Sequence, residues 1–146
     1  MSRRICYTPL VAAPIHSDSR SLDLLFRALA DPTRLRLLNL IAEREVCVCY
    51  FVGILRISQP KVSRHLAYLR RAGIVAARRD GRWMHYRLVM PREPAAADIL
   101  RAALEHLKSL PQMQRDLVRL GSVCCEPERF VVLRGAPQPV PIAPAR

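Results

Sequence analysis

Five cysteines carry the most specific chemistry in the chain: Cys6, Cys47, Cys49, Cys124 and Cys125. Their number is odd. The two close pairs, Cys47 with Cys49 and Cys124 with Cys125, are too near in sequence for easy disulfides within a pair. That usage fits a reducing compartment and soft-metal or redox chemistry better than a disulfide framework. Thiolate is the form that binds soft ions. At Cys47 and Cys49, a helix N-terminus and the nearby Arg44 favour it. Within a regular helix, positions i and i+2 do not face each other. Both sulfurs therefore reach one ion only if the first turn is frayed or distorted. Ligation would favour that distorted start, immediately before the next element in sequence. A tandem pair such as Cys124-Cys125, in a weakly structured segment, is rare without a thiol role. Cys6, in a loose N-terminus, reads as a small apolar residue.

The second set of reactive groups is cationic. Against 12 Asp and Glu stand 24 Lys and Arg, a formal net charge of +12. Residues 56–87 alone hold nine basic side chains and one acidic one. So concentrated a charge points to a polyanion, nucleic acid before a membrane surface. The length of 146 residues allows one domain with loose ends, and 51% apolar residues supply a core. No apolar run approaches the roughly 20 residues of a membrane span, and no secretory signal is evident, so a cytoplasmic protein is expected.

The elements that must position these groups follow from periodicity. Residues 1–20 read as a loose segment. Leu22, Leu25, Phe26 and Leu29 make one helical face over residues 21–30. Asp31 and Pro32 then suit an N-cap and a first helical residue. The next helix, from Thr33 to about Glu43, is expected to bury Leu35, Leu38 and Ala42, with Leu37 and Ile41 alongside, while Arg34 and Arg36 can face water. A short helix is expected from Cys49 to Leu55. Ser58 and Pro60 open a stronger one over Gln59–Ala72, with Val62, Leu66 and Leu69 inward and Gly73 as its stop. Residues 74–77 and 83–89 read as two strands joined through Asp80-Gly81. Residues 95–110 form a helix with a broad apolar face, and residues 112–120 a second. The proline-rich tail from about residue 135 is expected to be disordered.

Two helices joined by a short turn, followed by a basic hairpin, make a winged helix-turn-helix, a mainly α fold with a small β-hairpin. A helix fits the major groove, where base edges are distinguishable. Ser58, Gln59, Lys61, Ser63, Arg64, His65 and Tyr68 are the candidate contacts of the second helix. Arg78, Arg79 and Arg82 on the hairpin suit phosphates or the minor groove. For any of these basic residues taken singly, a merely solvated surface is the competing explanation. The remaining histidines, His16, His85 and His106, read as surface or packing residues.

The stretches LADPTRLRLLNLI, VCVCYFVGIL, SQPKVSRHLAYLRRAGIV and RRDGRWMHYRL resemble the ArsR/SmtB family of winged-helix metal-sensing repressors, its arsenic-responsive branch in particular. The resemblance covers about residues 21–110. It implies a homodimer joined through the first and last helices, bound to double-stranded operator DNA and released when a metal or metalloid binds. It also favours a three-thiolate site for As(III) or Sb(III). Relatives often place a third cysteine three residues after the second, and Val52 stands there instead. A third sulfur must then come from Cys124 or Cys125, of the same chain or of the partner. The acidic-and-histidine zinc set of related sensors lacks its spacing here, although Asp98 and His106 are present. The domain division is a loose segment 1–20, a DNA-binding and dimerisation domain 21–120 and a cysteine-containing segment 121–146. A thiol redox sensor or a Cd/Pb sensor on the same scaffold remains open. An enzyme such as a thiol-dependent reductase lacks a Cys-X-X-Cys, a phosphate-cradling loop and an acid/base pair, and a plain metal carrier leaves the basic segment unexplained.

Overall fold

The computed structural model describes residues 17–125 and 135–142. Its elements run α1 (Ser17–Leu29), α2 (Pro32–Ile41), β1 (Arg44–Cys47), α3 (Val48–Leu55), α4 (Gln59–Arg71), β2 (Val75–Asp80), β3 (Trp83–Leu88), α5 (Pro94–Ser109), α6 (Pro111–Cys125) and β4 (Val140–Pro141). This is a mainly helical winged helix-turn-helix, as the periodicity predicts. None of its helices is long and apolar enough to cross a membrane among the described residues.

The helix boundaries have local causes. The Asp31 carboxylate accepts the amide of Arg34 at 2.9 Å and Pro32 occupies the first turn, so α2 starts where expected. Arg56 closes α3 in the left-handed region, at φ 56°, its amide donating to the Val52 carbonyl. That bend turns the chain into α4, which Gly73 stops at φ 76°. Glu93 caps α5 by accepting the amides of Ala95 and Ala96. Leu37, Leu38, Leu40, Ile41, Phe51, Ile54, Leu66 and Leu69 are the centre of the core, drawn from α2, α3 and α4.

Several expectations need correction. The loose segment ends sooner than residue 20, because α1 begins at Ser17; the rest of it lies outside the described residues. Leu35 and Ala42 are only half-buried, since α2 turns Leu37, Leu40 and Ile41 inward beside Leu38. Arg34 and Arg36 do not simply face water. Arg34 donates to the carbonyls of Ala28 and Arg27, and Arg36 reaches α6. Strand β1 was not expected. It pairs antiparallel with β3, Val46 opposite Tyr86 and Cys47 opposite His85, and extends the hairpin into a sheet of order β2-β3-β1-β4. The tail contributes β4, whose Val140 and Pro141 pair with Glu45 and Arg44 on the outer edge of β1.

Candidate functional site

The two central cysteines flank the join between β1 and α3. Cys47 ends the strand in an extended conformation, φ −69° and ψ 144°, and serves as the N-cap position of α3. Cys49 lies in the first helical turn. The extended cap residue swings the Cys47 side chain back along the helix start, and the sulfurs stand 3.0 Å apart, Cys49 donating to Cys47. A strand-to-helix junction thus brings i and i+2 together without fraying the helix. Both residues are buried. The Cys47 thiol is lowered to about 7, first by the hydrogen bond from Cys49 and against the cost of burial; the amides of Cys49 and Val48 at the helix start and of Met84 across the ladder add to the lowering. The same contact pushes the Cys49 thiol up, with burial and the Cys47 charge adding to it. Above about pH 7 the pair therefore holds one proton, a thiolate on Cys47 and a thiol on Cys49.

Helix α6 brings Cys124 to the core on which α3 also packs. It is longer than expected and includes Cys124 and Cys125, so these end a helix rather than lie in a weakly structured segment. Arg36 grips Asp116 through two hydrogen bonds, 2.6 and 2.8 Å long, and Asp116 also accepts from Gln112 at 3.0 Å. Asn39 donates to the Met113 carbonyl at 3.0 Å. The Arg36 and Asn39 contacts, with Asp116, Asn39 and Met113 buried, hold α6 on α2, and α6 also packs on α3. Cys124 packs half-buried against the core. Tyr50, next to Cys49 in α3, is fully buried, and its hydroxyl has no hydrogen-bond partner among the described residues. Its phenol is pushed up to about 12 by burial, then by the charges of Cys124, Cys49 and Cys47. Among the described residues no three His, Cys, Asp or Glu side chains converge as a metal-holding group. The side chain of Cys125, and Cys6 altogether, lie outside the described residues.

The basic face lies beyond α3. On α4 and its cap, Ser58, Gln59, Lys61 and Arg64 are exposed, and Ser63 is half-buried. His65 turns back toward Asp31, Nδ1 to Oδ1 3.6 Å. Tyr68 is flanked by the guanidinium groups of Arg34 and Arg71, 4.4 and 4.6 Å from its ring centre. On the hairpin, Arg78 is bound to Glu45 at 2.6 Å, Arg79 donates to the Gly81 carbonyl, and Arg82 lies over the Trp83 ring at 4.6 Å. His85 is buried opposite Cys47, Nδ1 3.8 Å from Glu45 and Nε2 without a partner. Asp98 pairs with Arg101 instead of joining His106 in a metal set.

Sequence reading missed Tyr50, Asp116 and Glu45. Glu45 precedes Cys47 by two residues, which in a strand is the same face; only the unexpected β1 makes that spacing meaningful. For Tyr50 the signal available was adjacency to Cys49.

A family model described as the arsR family of bacterial regulatory proteins matches residues 31–77. The chain is 51% identical over 78 residues to an arsenic resistance transcriptional regulator of Pseudomonas putida, covering 53% of this chain and 60% of that protein. It is 51% identical over 74 residues to the arsenical resistance operon repressor of Escherichia coli, covering 50% of this chain and 62% of that one. The matches thus span about three fifths of these relatives. Among solved structures, HlyU from Vibrio cholerae superposes with a TM-score of 0.51 at 30% identity, over 60% of this chain and 96% of that chain.

Proposed function

Because the chain belongs to the arsR family of bacterial regulatory proteins, we propose that it is a transcriptional repressor that holds operator DNA as a homodimer and releases it when trivalent arsenic or antimony binds its thiols. The observation that carries this reading is the buried sulfur pair, Cys49 to Cys47 at 3.0 Å, at the start of the short helix that precedes the DNA-reading helix. The names of the arsenic-resistance relatives support the choice of inducer.

The chemistry of the pair suits a soft trivalent centre. A thiolate at Cys47 is the nucleophile and Cys49 supplies the second sulfur; Cys124 and Cys125 on α6 are the further sulfurs within the chain. Binding replaces the short S–H to sulfur contact with two bonds to one atom. The junction of β1 and α3 must rearrange to accommodate it, and α3 leads through the Arg56 bend directly into α4. On α4, Gln59, Ser63 and Arg64 are the residues for base edges and Ser58 and Lys61 for phosphate; His65 and Tyr68 shape that face from behind. Arg78, Arg79 and Arg82 add phosphate contacts from the hairpin. The dimer is expected to join through the first and last helices, and the cytoplasm is where such a regulator would act.

Operator binding, followed by fluorescence anisotropy, is expected to weaken when As(III) is added. Replacing Cys47 and Cys49 together by Ser should abolish that response while leaving operator affinity near wild type. Unchanged induction in the double variant would reject the sensor assignment. Release driven by Cd(II) or Pb(II) and not by As(III) would place the inducer among soft divalent ions. Release by peroxide alone, reversed by reductant, would make the protein a redox sensor.

A further inference from the structure

The buried hydroxyl of Tyr50 is the feature that the sulfur pair leaves unexplained. Placing a hydroxyl in an apolar interior with nothing to bond is costly, and phenylalanine would fill the same space without that cost. Tyr50 is completely buried in α3, one residue after Cys49, and α6, which carries Cys124, packs on α3. Its oxygen has no partner among the described residues. Tyr50 belongs to the same first turn of α3 as Cys49 and is an unsatisfied hydrogen-bonding group there.

We propose that Tyr50 is the specificity-determining residue of the thiol site, its hydroxyl hydrogen-bonding the oxygen that a trivalent metalloid keeps after Cys47 and Cys49 have bound it. The inference rests on the reading of those two sulfurs as the metalloid ligands, and adds the identity of the third position. The exchange balances without any change of oxidation state. Arsenous acid carries three hydroxyl groups. Each As–S bond that forms replaces one As–O bond, and the hydroxide leaves as water with a proton from the thiol or, for the Cys47 thiolate, from solvent. Two such exchanges leave one As–OH. The described residues supply two sulfurs in contact and no third donor within a metal-holding group, so that hydroxyl has Tyr50 as its nearby polar partner. An arsenical in which the third position is carbon, such as methylarsonous acid, exchanges its two hydroxyls for the same two sulfurs and then presents a methyl group. It leaves the Tyr50 hydroxyl as unsatisfied as before. A site with a waiting hydrogen-bond group discriminates against the ligand that lacks the matching one.

The test measures dissociation constants of the full chain for arsenous acid and for methylarsonous acid by calorimetry, in wild type, Tyr50→Phe and Cys124→Ser. Wild type is expected to bind arsenous acid more tightly relative to methylarsonous acid than Tyr50→Phe does, by about tenfold, the worth of one hydrogen bond in a buried site. Methylarsonous acid should bind wild type and Tyr50→Phe equally. Thermal unfolding of Tyr50→Phe without ligand should stay at or above the wild-type midpoint, because only an unpaired hydroxyl is removed. A hydroxyl with a purely structural role would instead lower that midpoint and weaken both ligands alike, which overturns the proposal. An unchanged preference in Tyr50→Phe, with arsenous acid binding lost in Cys124→Ser, would make the third position a sulfur and also overturn it. If wild type binds neither compound, the sulfur pair is no metalloid site and the proposed function falls together with this inference.

Discussion

Two regions of the molecule approach the same sulfur pair by different routes. In the first, residues 31–77, the thiols and the DNA-facing residues lie on one continuous run: β1 ends in Cys47, α3 begins at the next residue, and a single left-handed residue separates α3 from the approach to α4. In the second, the C-terminal α6 and β4, everything reaches the site through tertiary contacts: Asp116 on Arg36, the Met113 carbonyl on Asn39, and two residues of β4 on the edge of β1. The matched family model ends at residue 77, so the first region is also the shared one. A covalent neighbour transmits a displacement whatever else happens. A docked helix does so only while its docking holds. The first region should therefore carry the response, and the second should tune it.

Single-cysteine variants make the largest contrast. Cys47→Ser is expected to weaken As(III) binding at least about 100-fold, the upper end of what loss of one tuned ligand environment costs. Cys124→Ser should weaken it by less than about tenfold. Direct titration of both variants measures the ratio; equal losses would place α6 inside the primary site and erase the distinction between the regions.

The docking of α6 comes next. Asp116 is almost fully buried, and its partner Arg36 is partly exposed, side chain 26%. Removing one member of a buried pair costs up to 3–5 kcal/mol, and partial exposure of the guanidinium lowers that to about 2 kcal/mol for Asp116→Ala. Urea unfolding is the measurement. Operator affinity should change less than about threefold, since α4 keeps its packing on α2 and α3 and its phosphate contacts set the affinity. A large loss of DNA binding without a loss of stability would show that α6 belongs to the reading unit.

Within the reading unit itself, α4 and the hairpin differ in how free their cations are. Arg64 is exposed on α4, whereas Arg78 is already held by Glu45 at 2.6 Å. Arg64→Ala should weaken operator binding by about tenfold, the scale of one base-edge contact. Arg78→Ala should cost about twofold and flatten the salt dependence only slightly. The reverse order, read by anisotropy at several salt concentrations, would make the hairpin the principal contact.

Much of this division was legible in the sequence, and the illegible parts share a cause. Helix α4 announces itself through Ser58, Pro60, three inward aliphatics and Gly73, all local signals. The hairpin does so through Asp80-Gly81. Strand β1 has only four residues, and its strand character comes from pairing with β3, a partner forty residues away. Without β1, Cys47 and Cys49 look like misaligned helix positions, and the join that brings them to 3.0 Å cannot be read. Arg36 reads as solvent-facing because the sequence around it offers no partner; Asp116 lies 80 residues on, whereas Arg34 turns back onto the local carbonyls of Ala28 and Arg27. Tyr50 stands in an apolar run that gives it no distinguishing signal, since the want of a partner for its hydroxyl among the described residues is a property of the packed core alone.

The smallest effect, and the sharpest probe of the first region, is the pH dependence of the sulfur pair. In the unfolded chain both thiols titrate near the ordinary value of 9.0, whereas in the folded chain Cys47 is lowered to about 7 and Cys49 is raised. Between pH 7 and 9 the folded pair holds one proton and the unfolded pair two. The unfolded state then binds more protons, so this pair adds stability as pH rises through that window and loses the addition as pH falls through 7. Above pH 9 the unfolded pair releases both protons while Cys49 keeps its own, and the sign reverses. The contribution is a shallow maximum near pH 8–9 whose height, with Cys47 fully buried but paired to a group shifted the other way, is about 1–2 kcal/mol. Cys49→Ala removes the donor on which the lowering chiefly depends. Its thiolate absorbance should then titrate near or above 9 instead of near 7, and the maximum in stability should vanish. Serine at the two α6 positions should leave both curves where they are; a shift there would mean that the C-terminal thiols sit in the same electrostatic unit as the pair, and that the docked region senses as directly as the covalent one.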